Sequence, residues 1–200
     1  MLTLALETST PRGGVALFDG ADLLFTHSFT ADRSHSSGLF AVIEQALVNG
    51  TNPGQIVVGL GPGSYAGVRI AIAAAIGLSI STGARLLGIP SITALAEGEY
   101  LALGDARRET FSLSHIRDGE LLTGPDLLTS GELAPRLASS TLPLLSSEPL
   151  DFPRLQLKFP SVDRLARLAI AGRSIIARDT LEPLYLRDPH ITLPKPINPR

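Results

Sequence analysis

Two stretches of this sequence carry the same pattern: "LTLALETSTPRGGVALFDGADLL", residues 2–24, and "YLALGDARRETFSLSHIRDGELL", residues 100–122. Each reads as a strand that ends in an acid, a polar turn, a second strand, an Asp-Gly turn and a third strand. The acids are Glu7 and Asp105, and the Asp-Gly turns begin at Asp19 and Asp118. Any two short hairpins share some of this pattern by chance, but a duplicated unit is the better interpretation.

The rest of the chain completes this duplicated pattern. Periodicity and turn residues predict, in chain order, a helix at 34–49, a strand at 56–60, a helix after a glycine loop, a strand at 85–89, a helical turn from Ser91, a helix at 129–140, a strand at 141–147, a helix at 161–172 and a proline-rich tail. A duplicated βββαβα-type α/β unit, with an acid ending each first strand, resembles the actin-like ATPase and sugar kinase class. We therefore predict two lobes of this class, an N-terminal lobe over residues 1–98 and a shortened C-terminal lobe over residues 99–200.

Composition narrows the classes of function. The chain has 200 residues, 44% of them hydrophobic, and a net charge of −2, which is typical of a soluble globular protein. Because it has no cysteine, disulfides, thiolate metal sites and cysteine nucleophiles are excluded. The balance of 17 basic and 19 acidic residues gives no basic stripe, so nucleic-acid binding would need a partner. No signal-peptide pattern opens the sequence, so we expect a cytoplasmic protein. The longest apolar stretch, residues 68–80, is short and interrupted, so we expect that the chain does not cross a membrane.

The loop "GPGSYAG", residues 61–67, has the spacing G-x-G-x-x-A between a strand and a helix, as dinucleotide-binding loops do. Those loops need an acid about 20 residues further on to hold the ribose, yet no acid occurs between Glu44 and Glu97. The loop also lacks the lysine that a phosphate-binding Walker loop requires. It lacks the first glycine of the turn that carries a serine nucleophile. We therefore predict that Gly61, Pro62 and Gly63 shape a turn, without a cofactor.

The polar turns after the two strand-ending acids are the other candidate for nucleotide binding. In the actin-like class such turns hold nucleotide phosphates, and glycines let backbone N–H groups approach them. Here Glu7 is followed by Thr8 and Ser9, with glycines only later, and the turn after Asp105 has no glycine. We predict that these four positions are vestigial nucleotide contacts. The alternative is a small ATPase or kinase that uses Glu7 and Asp105 around magnesium.

No two of the four histidines lie within five residues of each other, so no metal site is predicted.

The helix after the glycine loop is apolar or small at almost every position from Val68 to Ile80. A helix that is apolar all round must be covered all round, and its own sheet covers one side only. Either other parts of this chain cover the outer side or a partner does, and the shortened second lobe favours a partner. The predicted interface residues are Leu39, Val42, Ile43, Gly67, Val68, Ile72 and Ile76.

Five segments occur in the order and at a spacing similar to those of the bacterial TsaB family, also called YeaZ. They are "LALETST" (4–10), "GLGPGSYAGVRIAIAAAIGLS" (59–79), "GIPSITALA" (88–96), "GDARRETF" (104–111) and "LEPLYLR" (181–187). The sequence resembles this family well over roughly residues 2–125 and again at the last segment. The pattern GPGS-aromatic-x-GVRI is the most specific part of the resemblance.

The resemblance implies an actin-like fold and a chain without catalytic activity of its own. It further implies a heterodimer with the paralogue TsaD, which transfers the threonylcarbamoyl group to N6 of the tRNA adenosine beside the anticodon, and an ATPase, TsaE, that joins the pair. In the family, the two helices that correspond to residues 34–49 and 67–82 form a bundle with TsaD or with a second copy of the chain. The implied contact with tRNA is through the complex only. No cofactor is expected on the chain alone, and ATP with magnesium would belong to the complex interface.

Overall fold

A computed structural model describes residues 1–30 and 35–187 as two mixed β-sheets flanked by helices. The strands in the described part are β1 (Leu2–Glu7), β2 (Arg12–Asp19), β3 (Asp22–Thr30), β4 (Gln55–Gly59), β5 (Arg85–Ile89), β6 (Glu99–Asp105), β7 (Thr110–Arg117), β8 (Glu120–Thr129), β9 (Leu144–Ser146), β10 (Leu155–Leu157) and β11 (Ala177–Arg178). The α-helices are α1 (His35–Ala46), α2 (Tyr65–Thr82), α3 (Ser130–Ala138) and α4 (Val162–Ile170), and short 3-10 helices cover Val48–Gly50 and Ser91–Ala94. The proline-rich end of the predicted tail lies outside the described residues.

The two sheets repeat one topology. The first has the order β11-β5-β4-β1-β2-β3 and the second the order β10-β9-β6-β7-β8. In both, the first three strands form an antiparallel meander, and the fourth strand pairs in parallel with the first. The duplicated α/β fold of the actin-like class, predicted from the sequence repeat, is therefore confirmed.

The repeated Asp-Gly turns differ by one residue. In the second lobe, Asp118 and Gly119 both have positive φ, 51° and 83°, and are the two central residues of the turn between β7 and β8. In the first lobe, Asp19 still pairs with Asp22, so the central residues are Gly20, at φ 57°, and Ala21. Two-residue hairpin turns need positive φ at one or both central positions, which explains the glycine in each.

Alternation along the central strands of the first sheet builds two cores, one on each face. The face under α1 and α2 carries Leu4, Leu6, Ile56 and Val58. The face toward α4 carries the intervening residues Ala5 and Val57. A strand that is apolar on both faces is typical of a sheet covered on both sides. The first sheet is accordingly the centre of the molecule.

The chain after β10 returns to the first lobe. Helix α4 packs on the second face of the first sheet through Val162, Leu165 and Ala166, and β11 pairs with β5. The sequence-based division placed residues 99–200 together in the second lobe, but α4 and β11 belong to the first. The apolar residues of α4 fit the sheet face that α1 and α2 leave open, and β11 extends the edge of the sheet beside β5. The boundary near residue 98 itself stays a prediction.

Helix α2 begins and ends with side-chain and backbone caps. Ser64 Oγ accepts a hydrogen bond from Gly67 N at 3.2 Å, and Gly83 ends the helix with a left-handed φ of 74°. At 18 residues the helix is longer than the apolar stretch seen in the sequence, and its length and composition would allow it to cross a membrane. One such helix is weak support for a membrane span, and one side of α2 packs on the first sheet. The absence of a membrane span stays a prediction.

Two glycines of α2 have opposite surroundings. A Cβ at Gly67 would lie 2.1 Å from the Thr8 carbonyl oxygen, so only glycine allows this approach. A Cβ at Gly77 would meet no atom within 4 Å, because that position faces outward. The chain's own packing therefore requires the first glycine and not the second.

We expect Gly67→Ala to lower the free energy of unfolding by about 1–3 kcal/mol, since the added methyl group overlaps backbone that cannot rotate away. Gly77→Ala should raise it by about 0.5–1 kcal/mol, because alanine is the better helix former and the site is open. Urea denaturation followed by circular dichroism measures both. Equal effects of the two substitutions would contradict this assignment.

Candidate partner surface and interlobe cleft

The glycine loop is filled by the chain's own backbone. Ser64 N donates to the Ser9 carbonyl oxygen at 2.7 Å, and Thr8 Oγ1 donates to the Gly67 carbonyl oxygen at 2.8 Å. A Cβ at Gly63 would lie 2.1 Å from that Ser9 oxygen. The turn after β1 thus occupies the space beside the start of α2 where a dinucleotide-binding protein holds its phosphates.

The first residues of the loop are tied to the segment after β5. Gly61 has φ 88°, a conformation that favours glycine, and Pro62 follows it. Gly61 N donates to Ser91 Oγ at 3.0 Å, and Ser91 N donates back to the Gly61 carbonyl oxygen at 2.7 Å. Ser91 therefore fixes this turn, although its side chain does not cap the short helix that follows.

Glu7 is buried at the same junction. Its Oε1 accepts a hydrogen bond from Ser9 N at 2.6 Å, while Oε2 has no hydrogen-bond partner among the residues that the structure describes. Desolvation raises the pKa of the Glu7 carboxyl, and the nearby Ser9 and Ser91 groups lower it by less. A Cβ at Gly59 would lie 2.0 Å from Oε2, so that glycine makes room for the carboxyl group. This environment favours the uncharged acid.

The predicted vestigial nucleotide contacts do not share one site. Glu7, Thr8 and Ser9 are at most 2% exposed and do not line the cleft between the lobes, whereas Asp105 does. The turn after β1 packs the first three against α2, and their role as vestigial nucleotide contacts stays a prediction. Asp105 accepts from Arg107 N at 2.7 Å and pairs with the Arg107 guanidinium at 3.1 Å.

A cleft of about 830 Å³ separates the glycine loop from β6 and β7. Its rim carries Arg107, Arg108 and Glu148, and Glu148 Oε2 accepts from Asp105 N at 2.9 Å. The segment from Pro183 to Arg187 closes one side of the cleft. This volume lies within the range of small-molecule sites.

The late segment "LEPLYLR" is bound to the glycine loop. Leu184 N donates to the Leu60 carbonyl oxygen at 2.8 Å, and the Tyr185 ring stacks on Tyr65 with 5.3 Å between ring centroids. The Arg69 guanidinium lies 5.0 Å from the Tyr65 ring centroid and also donates to the Tyr65 hydroxyl. Sequence reasoning missed Tyr65, Arg69 and Tyr185 as a group, because Tyr185 is distant in the chain from the other two.

The structure corrects most of the predicted interface residues. Six of the seven are buried inside this chain: Leu39, Val42, Ile43, Gly67, Val68 and Ile72. Their side of each helix faces the first sheet, because that is the larger apolar surface available within the chain. Only Ile76, which is 39% exposed, points outward as predicted.

The outer face of α1 and α2 carries other apolar residues. Ile80 is 82% exposed and Phe40 is 53% exposed. On α2, the exposed Ala73 and Gly77 lie on the same face as Ile76 and Ile80. The two helices pack against each other, and these residues are the exposed apolar and small ones on their outward sides. We call the surface formed by Phe40, Ala73, Ile76, Gly77 and Ile80 the outer helix face. Sequence reasoning could not choose it, because α2 is apolar on all sides.

Among the residues that the structure describes, no group of three or more histidines and acids is placed to hold a metal ion. His115 Nε2 and Glu99 Oε1 are 2.7 Å apart, and Arg117 donates to the same oxygen at 2.8 Å. Arg117, and to a lesser extent His115, lower the pKa of Glu99. This group is a cross-strand contact between β6 and β7.

Several known proteins are similar to this chain in sequence. The family model described as "TsaD: tRNA N6-adenosine threonylcarbamoyltransferase" matches residues 29–120. The Escherichia coli protein named tRNA threonylcarbamoyladenosine biosynthesis protein TsaB is 28% identical over 111 residues, which cover 54% of this chain and 48% of that protein. An uncharacterized Mycobacterium tuberculosis protein is 28% identical over 197 residues, covering 93% of this chain and 92% of that one. The match spans only 41% of an uncharacterized Mycobacterium leprae protein.

Two solved structures from Pseudomonas aeruginosa share the fold. One, described as an uncharacterized protein with similarity to peptidase YEAZ, has a TM-score of 0.74 at 23% identity and covers 93% of this chain and 99% of its own. The other, described as YeaZ, has a TM-score of 0.67 at 22% identity and covers 86% and 91%. In sequence this chain is similar to the TsaD family model and to the TsaB relatives, and in fold it is similar to these two structures.

Proposed function

We propose that this chain is a non-catalytic scaffold subunit in tRNA threonylcarbamoyladenosine biosynthesis, and that it pairs with a TsaD-type partner through the outer helix face. The named TsaB relatives and the TsaD-family match support the pathway. The observation that carries the scaffold role is the uncovered apolar surface on α1 and α2. The protein would act in the cytoplasm, where the modification enzyme it serves would meet tRNA.

The outer helix face has the composition of a helix-packing surface. Ile80 and Phe40 are large apolar side chains that the chain leaves exposed, and exposed apolar residues grouped in this way mark interaction sites. Gly77 lies between Ile76 and Ile80 on this face, and a glycine inside a helix costs about 1 kcal/mol relative to alanine. Nothing in the described chain requires that glycine. A partner helix that approaches closely would require it.

A paralogue is the occupant that the similarity favours. The TsaD-family match covers residues 29–120, which include both α1 and α2. A related protein would therefore offer a related pair of helices, and two such pairs would pack about an approximate two-fold axis into a four-helix bundle. A second copy of this chain offers the same face, so self-association is the competing outcome when the partner is absent.

The buried acid supports a role without chemistry of its own. A carboxyl that ligates magnesium or activates water must be charged and accessible, whereas Glu7 is enclosed and favoured in its neutral form. Transfer of the threonylcarbamoyl group would then be carried out by the TsaD-type partner, with tRNA, the TsaE-type ATPase and ATP bound in the complex. This chain would contribute by holding the partner in its active arrangement.

We expect Ile80→Asp to abolish pairing with a TsaD counterpart without unfolding the chain. Ile80 is 82% exposed in the free chain, so the charge is tolerated there, but an unpaired charge buried at an interface costs about 3–5 kcal/mol, roughly a hundredfold or more in Kd. Light scattering coupled to size-exclusion chromatography measures the mass of the chain alone and mixed with the partner.

Ile176→Asp is the matched control, because Ile176 is also exposed but lies beside β11, away from the outer helix face. This variant should pair like the wild type. If both variants pair equally well, the interface lies elsewhere. If the wild type stays monomeric alone and in the mixture, the scaffold proposal fails.

We expect Glu7→Gln to separate the scaffold from the ATPase alternative. A raised pKa means that the folded protein holds the Glu7 proton more tightly than the unfolded chain does, so wild-type stability falls as the pH rises above the unfolded value of 4.5. The neutral glutamine removes this loss. The Tm of the variant should match that of the wild type near about pH 4 and exceed it as the pH rises above the unfolded value.

ATP turnover measured on the same two proteins completes the test. If the chain is a scaffold, the wild type and Glu7→Gln should both show only background ATP hydrolysis and should differ only in stability. Wild-type hydrolysis that Glu7→Gln abolishes would instead establish the ATPase alternative. A variant that is less stable than the wild type at every pH would contradict the neutral state of Glu7.

A further inference from the structure

The interlobe cleft is a built cavity that pairing through the outer helix face does not use. Its floor on β6 and β7 consists of small residues, Ala102, Gly104, Ser112 and Ser114. A Cβ at Gly104 would meet only Ser112 Oγ, at 2.8 Å. The volume of about 830 Å³ exists because these positions carry almost no side chain.

The walls of the cleft are apolar. Leu60 and Val68 line it from the first lobe, Leu95 from the segment between the lobes, and Leu127 and Leu184 from the opposite sides. Of these, Leu127 is 41% exposed, so it stands at the edge. Apolar walls with a few polar groups at one end are the usual form of a small-molecule site.

Charge is confined to one end of the cleft. The basic side chains there are Arg107, Arg108 and Arg187, and the acids are Asp105 and Glu148. Asp105 is paired with Arg107, and Glu148 accepts from the Asp105 backbone. Arg108 forms no ion pair with any residue in the described ranges. Arg187 likewise forms no ion pair within those ranges, so Arg108 and Arg187 both offer a guanidinium to an added anion.

We propose that the cleft binds a small amphipathic anion, with an acyl or aromatic body between the apolar walls and a carboxylate or phosphate head at Arg107 and Arg108. The glycine loop does not compete for the head, because Ser64 N already donates to Ser9. Glu7 does not line the cleft, so it takes no part in this binding. This inference goes beyond the proposed function and is independent of pairing through the outer helix face.

The probe is 8-anilinonaphthalene-1-sulfonate, an aromatic anion whose fluorescence rises in apolar sites, titrated into the full-length chain. We expect saturable binding of one dye per chain. Arg108→Glu should weaken this binding at least about tenfold, because it replaces attraction by repulsion at the head group. Leu127→Glu should weaken it similarly by placing a charge at the edge of the cleft.

Two controls locate the dye. Arg154→Glu is matched to Arg108→Glu, because both arginines have φ near 60° (59° and 56°) and Arg154 does not line the cleft. It should leave the dye affinity unchanged. Ile80→Asp removes the most exposed residue of the outer helix face and should also leave it unchanged. Circular dichroism verifies that each variant is folded.

Competition identifies the source of the anion. Displacement of the dye by decanoate assigns an acyl carboxylate, and displacement by AMP assigns a nucleoside phosphate; either supports the proposal. Absence of saturable binding to the folded wild type overturns it. The proposal is also overturned if Arg108→Glu and Leu127→Glu leave the dye affinity unchanged. Loss of binding in Ile80→Asp alone would place the dye on the outer helix face.

Discussion

The structure depends on the close approach of two backbone segments, the turn after β1 and the start of α2. Gly63 and Gly67 allow the carbonyl oxygens of Ser9 and Thr8 to come where any larger residue would collide. The two hydrogen bonds across this contact hold α2 at a fixed angle to the first sheet. The buried side of α2 then fills the first core, and its other side is left facing solvent. The partner surface is thus a consequence of how the helix is attached.

The same junction explains how Glu7 comes to be buried in this chain. In an actin-like protein that binds a nucleotide in its cleft, the end of the first strand would have to face that cleft. Here the turn that follows Glu7 is folded down onto α2, and Gly59 makes room for the carboxyl group. Burial without a full set of hydrogen bonds raises the pKa of the Glu7 carboxyl, and the enclosing residues keep it from lining the cleft. The position is retained as part of the packing.

The sequence predicted those parts of the structure that depend on local patterns. The meander of β1 to β3, its repeat in β6 to β8, and the strands β4 and β5 follow from alternation and turn residues. The pairing of β11 and the return of α4 to the first sheet depend on which apolar surface remains open, which no local pattern encodes. The same limit applies to the outer helix face. Because α2 is apolar on all sides, the sequence identified the helix but could not distinguish Ile72, in the core, from Ile80, at the surface.

The glycines of one segment show what decides the meaning of a glycine motif. The spacing of Gly61, Gly63 and Ala66 satisfies a dinucleotide-binding pattern, because a phosphate and a backbone carbonyl both need the space that a missing side chain leaves. At Gly63 and Gly67 that space is filled by this chain's own turn. At Gly77 it is filled by nothing in the described chain, so the reason for that glycine has to be sought outside it. Closely spaced glycines thus serve the fold in one case and leave open space at the surface in the other, and only the atoms that approach each one distinguish the two.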